Sequence, residues 1–381
     1  MTDDSSKTDD SPTTIEPAQH NDRLLSLDAL RGFDMFWIIG GETIAEAAAS
    51  LTGWGWLVWF SGQLHHPEWH GFALYDLIFP LFLFMAGVAM PFSFEKRLAR
   101  GDSKARLFRH AVQRGLLLVL LGMIYNGLLN FDWANMRYPS VLGRIGLAYM
   151  FAAIIVLNTR VRGQLIWIGG LLVGYWAALK FIPVPGFGAG DLAPGHTLTD
   201  FVDRSLIPGR LYRGDRDPEG LLGTVPAIAT ALAGAVTGQL LKSDRYSGYA
   251  KTALMAIAGL VCLGIARLWN LDFPINKNLW SSSFVLHCAG LSLLLLALFY
   301  LVIDVWRLRA WTFFFVVIGS NSILAYLARE FVDFGFTARF FFGGALKNTG
   351  EYQELLAAVA VTFVEWLLLY LLYRKRIFLR I

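Results

Sequence analysis

The chain has 381 residues, of which 55% are hydrophobic and only 16% charged, with a mean hydropathy of +0.49. That is far too apolar for an ordinary soluble globule and marks a polytopic membrane protein. The net charge of +4 does not point to nucleic acid, because the basic residues gather in short loops between apolar stretches, where they set topology.

Residues 1–22 are rich in Ser, Thr, Asp and Pro and hold no apolar run, so they read as a disordered cytoplasmic tail rather than a signal peptide. Residues 23–381 read as one transmembrane domain. Stretches long and apolar enough to cross about 30 Å of hydrocarbon as helices fall at 27–49, 72–94, 107–128, 141–158, 164–182, 221–241, 250–271, 280–303, 310–328 and 353–373. The predicted fold is an all-α membrane bundle of about ten helices. Residues 95–110 carry Lys96, Arg97, Arg100, Lys104, Arg106 and Arg109, whereas 50–71 carry no Lys or Arg. The positive-inside rule places the first loop in the cytoplasm and the second outside, and both termini inside. Two outer segments, 183–220 and 330–352, are too long for simple turns and are expected to cap a cavity. Within the second, 334–346 is aromatic and glycine-rich but too short to span, which suggests a re-entrant or interfacial hairpin. Cys262 and Cys288 fall inside apolar spans, so a disulfide framework is not expected.

The chemistry gathers at the outer edge of the second span. His65, His66 and His70 precede it and Asp76 follows inside it, and ionisable groups in a membrane are costly and usually functional. His66 suits a general base towards an amine or hydroxyl, or a carrier of an acyl group; the bland alternative is a histidine that merely solvates a helix end. Pro67 suits a first helical turn. In a straight helix, Asp76 would sit roughly 15 Å deeper than His66. Direct contact then requires a helix that begins later and a loop that folds back, and Glu42, at the outer end of the first span, comes forward as the likelier orienter of His66. Phe79-Pro80 is expected to bend the span around a pocket. Asp28 and Arg31 can pair on one helix face, and Arg144 either binds an anion or pairs with a carboxylate. Further polar marks are Asn276-Lys277-Asn278, His287, Asn321 and Glu365. No Walker loop, dinucleotide fingerprint or HExxH pair is present, so ATP-driven transport and zinc hydrolysis lose support, and no metal is expected.

The runs 26–32 (SLDALRG), 66–71 (HPEWHG) with Asp76 and Phe79-Pro80, and 141–145 (VLGRI) resemble the heparan-alpha-glucosaminide N-acetyltransferase family and its bacterial relatives. The runs 217–222 (DPEGLL) and 274–280 (PINKNLW) look like bacterial members. The resemblance covers nearly the whole chain from Arg23, with the motifs in order. It implies a transmembrane acyltransferase domain over 23–381 that moves acetyl from cytoplasmic acetyl-CoA to the amino group of a glucosamine-type sugar on the periplasmic side of the bacterial inner membrane. The family's catalytic histidine matches His66, and its acidic residue ten positions on matches Asp76. Two departures stand out: Glu42 where the family has asparagine, and His70 where the lysosomal member has asparagine. On this resemblance the chain is expected to lack the lumenal domain and leading span of that member, and binding of a polymeric heparan end is not implied.

The expected catalytic set is therefore His66, Asp76 and Glu42. Arg31 and Arg144 would meet the phosphates of acetyl-CoA, the cosubstrate, and Asn321 is counted with them. His70, Asn276, Lys277 and Asn278 would face the sugar, with the two asparagines as candidate oxyanion donors. The lipid bilayer is the other expected partner, and a homodimer stays open. The competing classes are an amino-sugar permease without acyl transfer and a structural membrane subunit.

Overall fold

A computed structural model describes residues 24–379; the expected tail, 1–22, lies outside the described residues. Among those described, all regular structure is helical apart from two isolated bridges. The helices in chain order are α1 (Leu25–Phe36), α2 (Glu42–Thr52), α3 (Gly55–Gly62), α4 (Ile78–Leu98), α5 (Lys104–Tyr125), α6 (Val141–Asn158), α7 (Val161–Phe181) and α8 (Leu198–Leu206). There follow α9 (Thr224–Lys242), α10 (Gly248–Trp269), α11 (Ser282–Tyr300), α12 (Thr312–Gly319), α13 (Ser322–Phe331), α14 (Phe334–Leu346) and α15 (Gln353–Arg374).

The membrane bundle is as expected. Eight described helical segments are long and apolar enough to cross a bilayer, or nine if α12 and α13, bent by 68° at their junction, form one broken span. The predicted first span is not among them. It is helical but interrupted between α1 and α2 by a wide turn at Trp37–Gly41, and it carries Asp28, Arg31, Asp34, Glu42 and Glu46. A Cβ on Gly40 would collide with the Thr362 side chain of α15, so the break sits where another helix presses closest. A break in a helix frees backbone carbonyls, which need partners within the protein wherever water is excluded. Arg329 of α13 answers this: its guanidinium donates to the Ile38 carbonyl, and its Nε lies 3.8 Å from the buried Glu365 carboxylate of α15.

Two local expectations fail for plain reasons. Pro80 falls in the first turn of α4, where its missing N–H interrupts no helical hydrogen bond, so the helix runs on unbroken through it. Residues 334–346 form the single helix α14, not a hairpin, packed on α15 with Phe336, Phe340 and Phe341 exposed.

The centre of the bundle is the pair α4 and α9. α4 is apolar on nearly every side, as befits a helix surrounded by others, and Leu83, Phe84, Met85 and Val88 are fully buried. Gly87 of α4 and Gly234 and Gly238 of α9 bring the two backbones together: a Cβ on any of them would strike the facing carbonyl of Ala231, Phe84 or Val88. Small residues of this kind allow the close van der Waals contact that joins helices in lipid.

At the His66 end of the bundle the loop before α6 is clamped to the loop before α9. Arg137 donates to both Asp217 oxygens, at 2.7 and 2.8 Å, and to Glu219. Burial works against this guanidinium, yet the two carboxylates hold its pKa above the usual arginine range. Arg137→Met would leave two carboxylates facing each other in a largely dehydrated site. A loss of about 3–5 kcal/mol is expected, read as a lowered unfolding temperature in detergent.

Candidate active site

The second span does not begin where its apolar run begins. α3 ends at Gly62, residues 65–73 form no helix, and a short turn at Leu74–Leu77 leads into α4. The ten residues between His66 and Asp76 are thus a loop that doubles back, not 15 Å of helix. Pro67 lies in this loop and starts nothing. Gly71, at φ +122°, turns the chain so that its N–H reaches the Ile275 carbonyl at 2.9 Å, and the Trp69 indole donates to Leu192 O at 2.8 Å. The loop is therefore pinned on two sides, to 270–281 and to 183–197.

The result corrects the expectation drawn from helix geometry. His66 Nδ1 stands 2.6 Å from Asp76 Oδ1, a direct hydrogen bond, while the other carboxylate oxygen accepts from the Ala73 N–H at 3.0 Å. Glu42 is not the partner of His66. It lies beside the Tyr75 hydroxyl, and the Tyr75 ring, 5.2 Å from the His66 ring, separates the two.

Lys277 completes the group from the opposite loop. Its Nζ is 2.9 Å from His66 Nε2 and 3.5 Å from Asp76 Oδ1. Nζ is also 3.3 Å from Nδ1, so it lies over the ring rather than along the Nε2 lone pair, and the Asp76 carboxylate, which accepts, places the ring proton on Nδ1. Burial holds Lys277 below its ordinary pKa, against the pull of Asp76 and Glu219. The loop that presents it is rigid. Asn276 accepts from Leu279 N–H at 2.9 Å, Ser281 Oγ donates to Pro274 O at 2.8 Å, and Trp280, fully buried, is held in the left-handed region at φ +52°. A bulky residue held there stores about 1–3 kcal/mol of strain, which only a well-packed surround maintains.

His66, Lys277, Glu219 and Tyr75 form one end of a cavity of about 200 Å³. The rest of its lining is mostly apolar, with Met35 from α1, Ile38 from the wide turn after it, Phe82 from α4, Ile145 from α6 and Ile323 from α13. A second, wider cleft of about 660 Å³ lies next to it, lined by Asn126, Asn130, Arg210, Tyr212 and Glu330. Arg137 lines this cleft and also grips Glu219 of the first cavity.

The other expected site residues fall elsewhere. Asn276 is buried and committed to its own loop and to His70 Nδ1, 3.2 Å away, so it offers no oxyanion donor to the cavity. His70 is a neighbour of the reacting group rather than a wall of the cavity; partial burial holds its imidazole below the ordinary histidine range. Asn278 is half-buried in the same loop. Arg144 is buried over the Trp280 ring and donates to Gly220 O at 3.0 Å, at the end of α6 whose Leu142 and Ile145 line the His66 cavity. Arg31 is at the other end: it pairs with Asp28, and nearby Ser26 donates its N–H to Asp304 Oδ2, 3.3 Å away, at the far end of the α11 span. The two arginines therefore cannot share one phosphate group, since roughly 35 Å of helix separates the ends of that span. Asn321 is tied to the C-terminal segment, donating to Ile377 O and accepting from Leu379 N–H, both at 2.9 Å.

Glu219, Tyr75 and Arg137 were not anticipated as site residues. The only signal was the carboxylate-rich run Asp217-Pro218-Glu219 in an outer loop, and nothing in the sequence joins it to His66.

Beside the site, Asp203 of α8 accepts from Leu221 N–H at 2.8 Å and is buried, which pushes its pKa up to about 7. The unfolded chain has this carboxyl near 3.9. The folded state therefore binds the proton more tightly, so stability is greatest at low pH, falls as pH rises from about 4 to 7, and is level above that. The expected fall is about 4 kcal/mol. Asp203→Asn should flatten this part of a stability-against-pH curve measured in detergent.

Residues 23–133 match a family described as a domain of unknown function, DUF5009. The heparan-alpha-glucosaminide N-acetyltransferase of Homo sapiens is 30% identical, the match covering 99% of this chain and 63% of that protein. The protein of the same name from Mus musculus is 31% identical, over 83% of this chain and 56% of its own length. The chain thus spans less than two thirds of the length of these curated relatives. Aligned along nearly its whole length, it is a relative of the heparan-alpha-glucosaminide N-acetyltransferases.

Proposed function

We propose that this chain is a transmembrane N-acetyltransferase that takes acetyl from cytoplasmic acetyl-CoA and delivers it to the amino group of a glucosamine-type sugar on the periplasmic side of a bacterial inner membrane. The observation that carries this reading is the chain of contacts Asp76, His66, Lys277 at the polar end of an apolar cavity. The names of the two relatives support an acetyl donor and an amino-sugar acceptor.

On this reading the cavity takes the thioester arm, whose uncharged chain suits apolar walls, while Arg31 at the far end of the bundle meets the CoA phosphates. His66 presents Nε2 as the reactive atom, because Nδ1 is engaged by Asp76. Two routes use the same geometry. Nε2 removes a proton from the sugar amine as it attacks the thioester, or Nε2 attacks the thioester itself and holds the acetyl until the amine arrives. In both, Asp76 stabilises the positive charge that develops on the ring. Lys277, whose Nζ lies against the ring, offers its charge to the oxyanion of the tetrahedral intermediate. Glu219, lining the same cavity, suits the ammonium form of an amino sugar, and the wide polar cleft next to it suits sugar hydroxyls.

Proteoliposomes with acetyl-CoA on the cytoplasmic face and labelled glucosamine on the other test this directly. N-acetylglucosamine is expected on the outer side with no net flux of sugar. Sugar that accumulates inside without acetyl-CoA would overturn the enzyme in favour of a permease.

A further inference from the structure

A site built to acetylate a primary amine holds one of its own. Lys277 Nζ stands 2.9 Å from His66 Nε2, the atom that the acetyl group must approach or occupy, and both groups line the same cavity. We propose that Lys277 is itself an acetyl acceptor: when no sugar amine is present, the acetyl group delivered to His66 passes to Lys277 Nζ and forms a stable amide there. This inference rests on the acetyltransferase reading above.

His66, Asp76, Glu219 and the Cys288 thiol lie around the amine. His66 can take a proton from it, and the two carboxylates, with Cys288 beside them, favour its charged form. Burial opposes them and holds its pKa below the ordinary lysine range, which raises the share of neutral, nucleophilic amine. Hydrogen bonds from Leu279 N–H to the Asn276 side chain and from Trp280 N–H to the Lys277 carbonyl hold the backbone from which the amine is presented.

The step balances by either route. From an acetyl-His66, the Nζ lone pair attacks the acetyl carbon, the bond from carbon to Nε2 breaks, and the displaced Nε2 takes the proton released from Nζ. From acetyl-CoA directly, the same attack expels the CoA thiolate, and His66 removes the proton from Nζ. The net reaction in both cases joins acetyl-CoA and the lysine amine to give acetyl-lysine and free CoA. The product has lost the cation that faced Nε2 and Asp76, and it fills the polar end of the cavity. Acetylation of Lys277 therefore silences the site until the chain is replaced or the amide is cleaved.

The test uses the full chain in detergent with acetyl-CoA labelled in its acetyl group and no sugar, followed by peptide mass spectrometry. We expect one acetyl per chain on Lys277, stable to hydroxylamine, which strips acetyl from imidazole and thioesters but not from an amide. Glucosamine should slow its appearance by competing for the same acetyl group, and His66→Gln, which keeps a polar side chain of similar size, should abolish it. Label spread over exposed lysines such as Lys104 and Lys347, at a rate glucosamine does not change, overturns the proposal. So does an unmodified Lys277 in protein that acetylates glucosamine, an outcome that leaves the acetyltransferase reading standing. Absence of both reactions overturns that reading and this inference with it.

Discussion

Replacing His66 with alanine is expected to lower acetyl transfer by about 10²–10⁴-fold, the range over which a positioned acid–base group acts. The loss should fall mainly on kcat, because the apolar walls that hold the donor arm are untouched. Removing the ring also lets Lys277 and Asp76, already 3.5 Å apart, close into a direct ion pair, so the variant should fold and melt near the parent temperature. The measurement is product formation in proteoliposomes alongside thermal unfolding in detergent. A folded His66→Ala protein with undiminished transfer would remove His66 from the mechanism.

A second large effect is expected from Asp76→Asn. The carboxylate accepts from both His66 Nδ1 and the Ala73 N–H, and it is almost fully buried. An asparagine can still accept from Ala73, but it then presents its amide N–H₂ to the ring. Nδ1 must become an acceptor, the proton moves to Nε2, and the reactive lone pair is lost. By analogy with other carboxylate-oriented histidines, kcat should fall by about 10³–10⁴-fold with little change in the KM for acetyl-CoA. The same change strips Lys277 of its nearest carboxylate and so lowers the fraction of it that is charged. Retention of kcat within about tenfold would show that Asp76 only caps the start of α4.

The bundle was legible because its signal is composition over windows of twenty residues, which no tertiary contact needs to supply. His66 and Asp76 were legible as costly ionisable groups at a membrane edge. Their contact was not, since it depends on where α4 begins, and an apolar run says how much chain is lipid-compatible rather than where helix starts. Gly71 and the Phe72-Ala73 stretch extend the hydrophobic window backwards while the backbone there is a loop. The same blindness placed Pro67 in a helix and Pro80 at a bend. Arg144 was misplaced by chemistry rather than geometry: an arginine invites a phosphate, but the charge register of its own span, with Arg160 and Arg162 at the opposite end, already put it on the His66 side. Glu219 and Lys277 meet His66 from segments more than 140 residues away along the chain, as the separations from residue 66 to 219 and 277 show. Such proximity is made only by folding.

The arginine that satisfies Ile38 has one more consequence. Arg329 belongs to α13, itself one half of a bent pair, yet its guanidinium is the cap for the break in the first helix, and its counter-charge sits on α15. Two interrupted helices on one wall of the cavity thus share a single hinge pin, while the glycine-seated α4 on the other wall has no break at all. Through that one side chain the break beside Gly40, the bend beside Asn321 and the α15 carboxylate are held to one another.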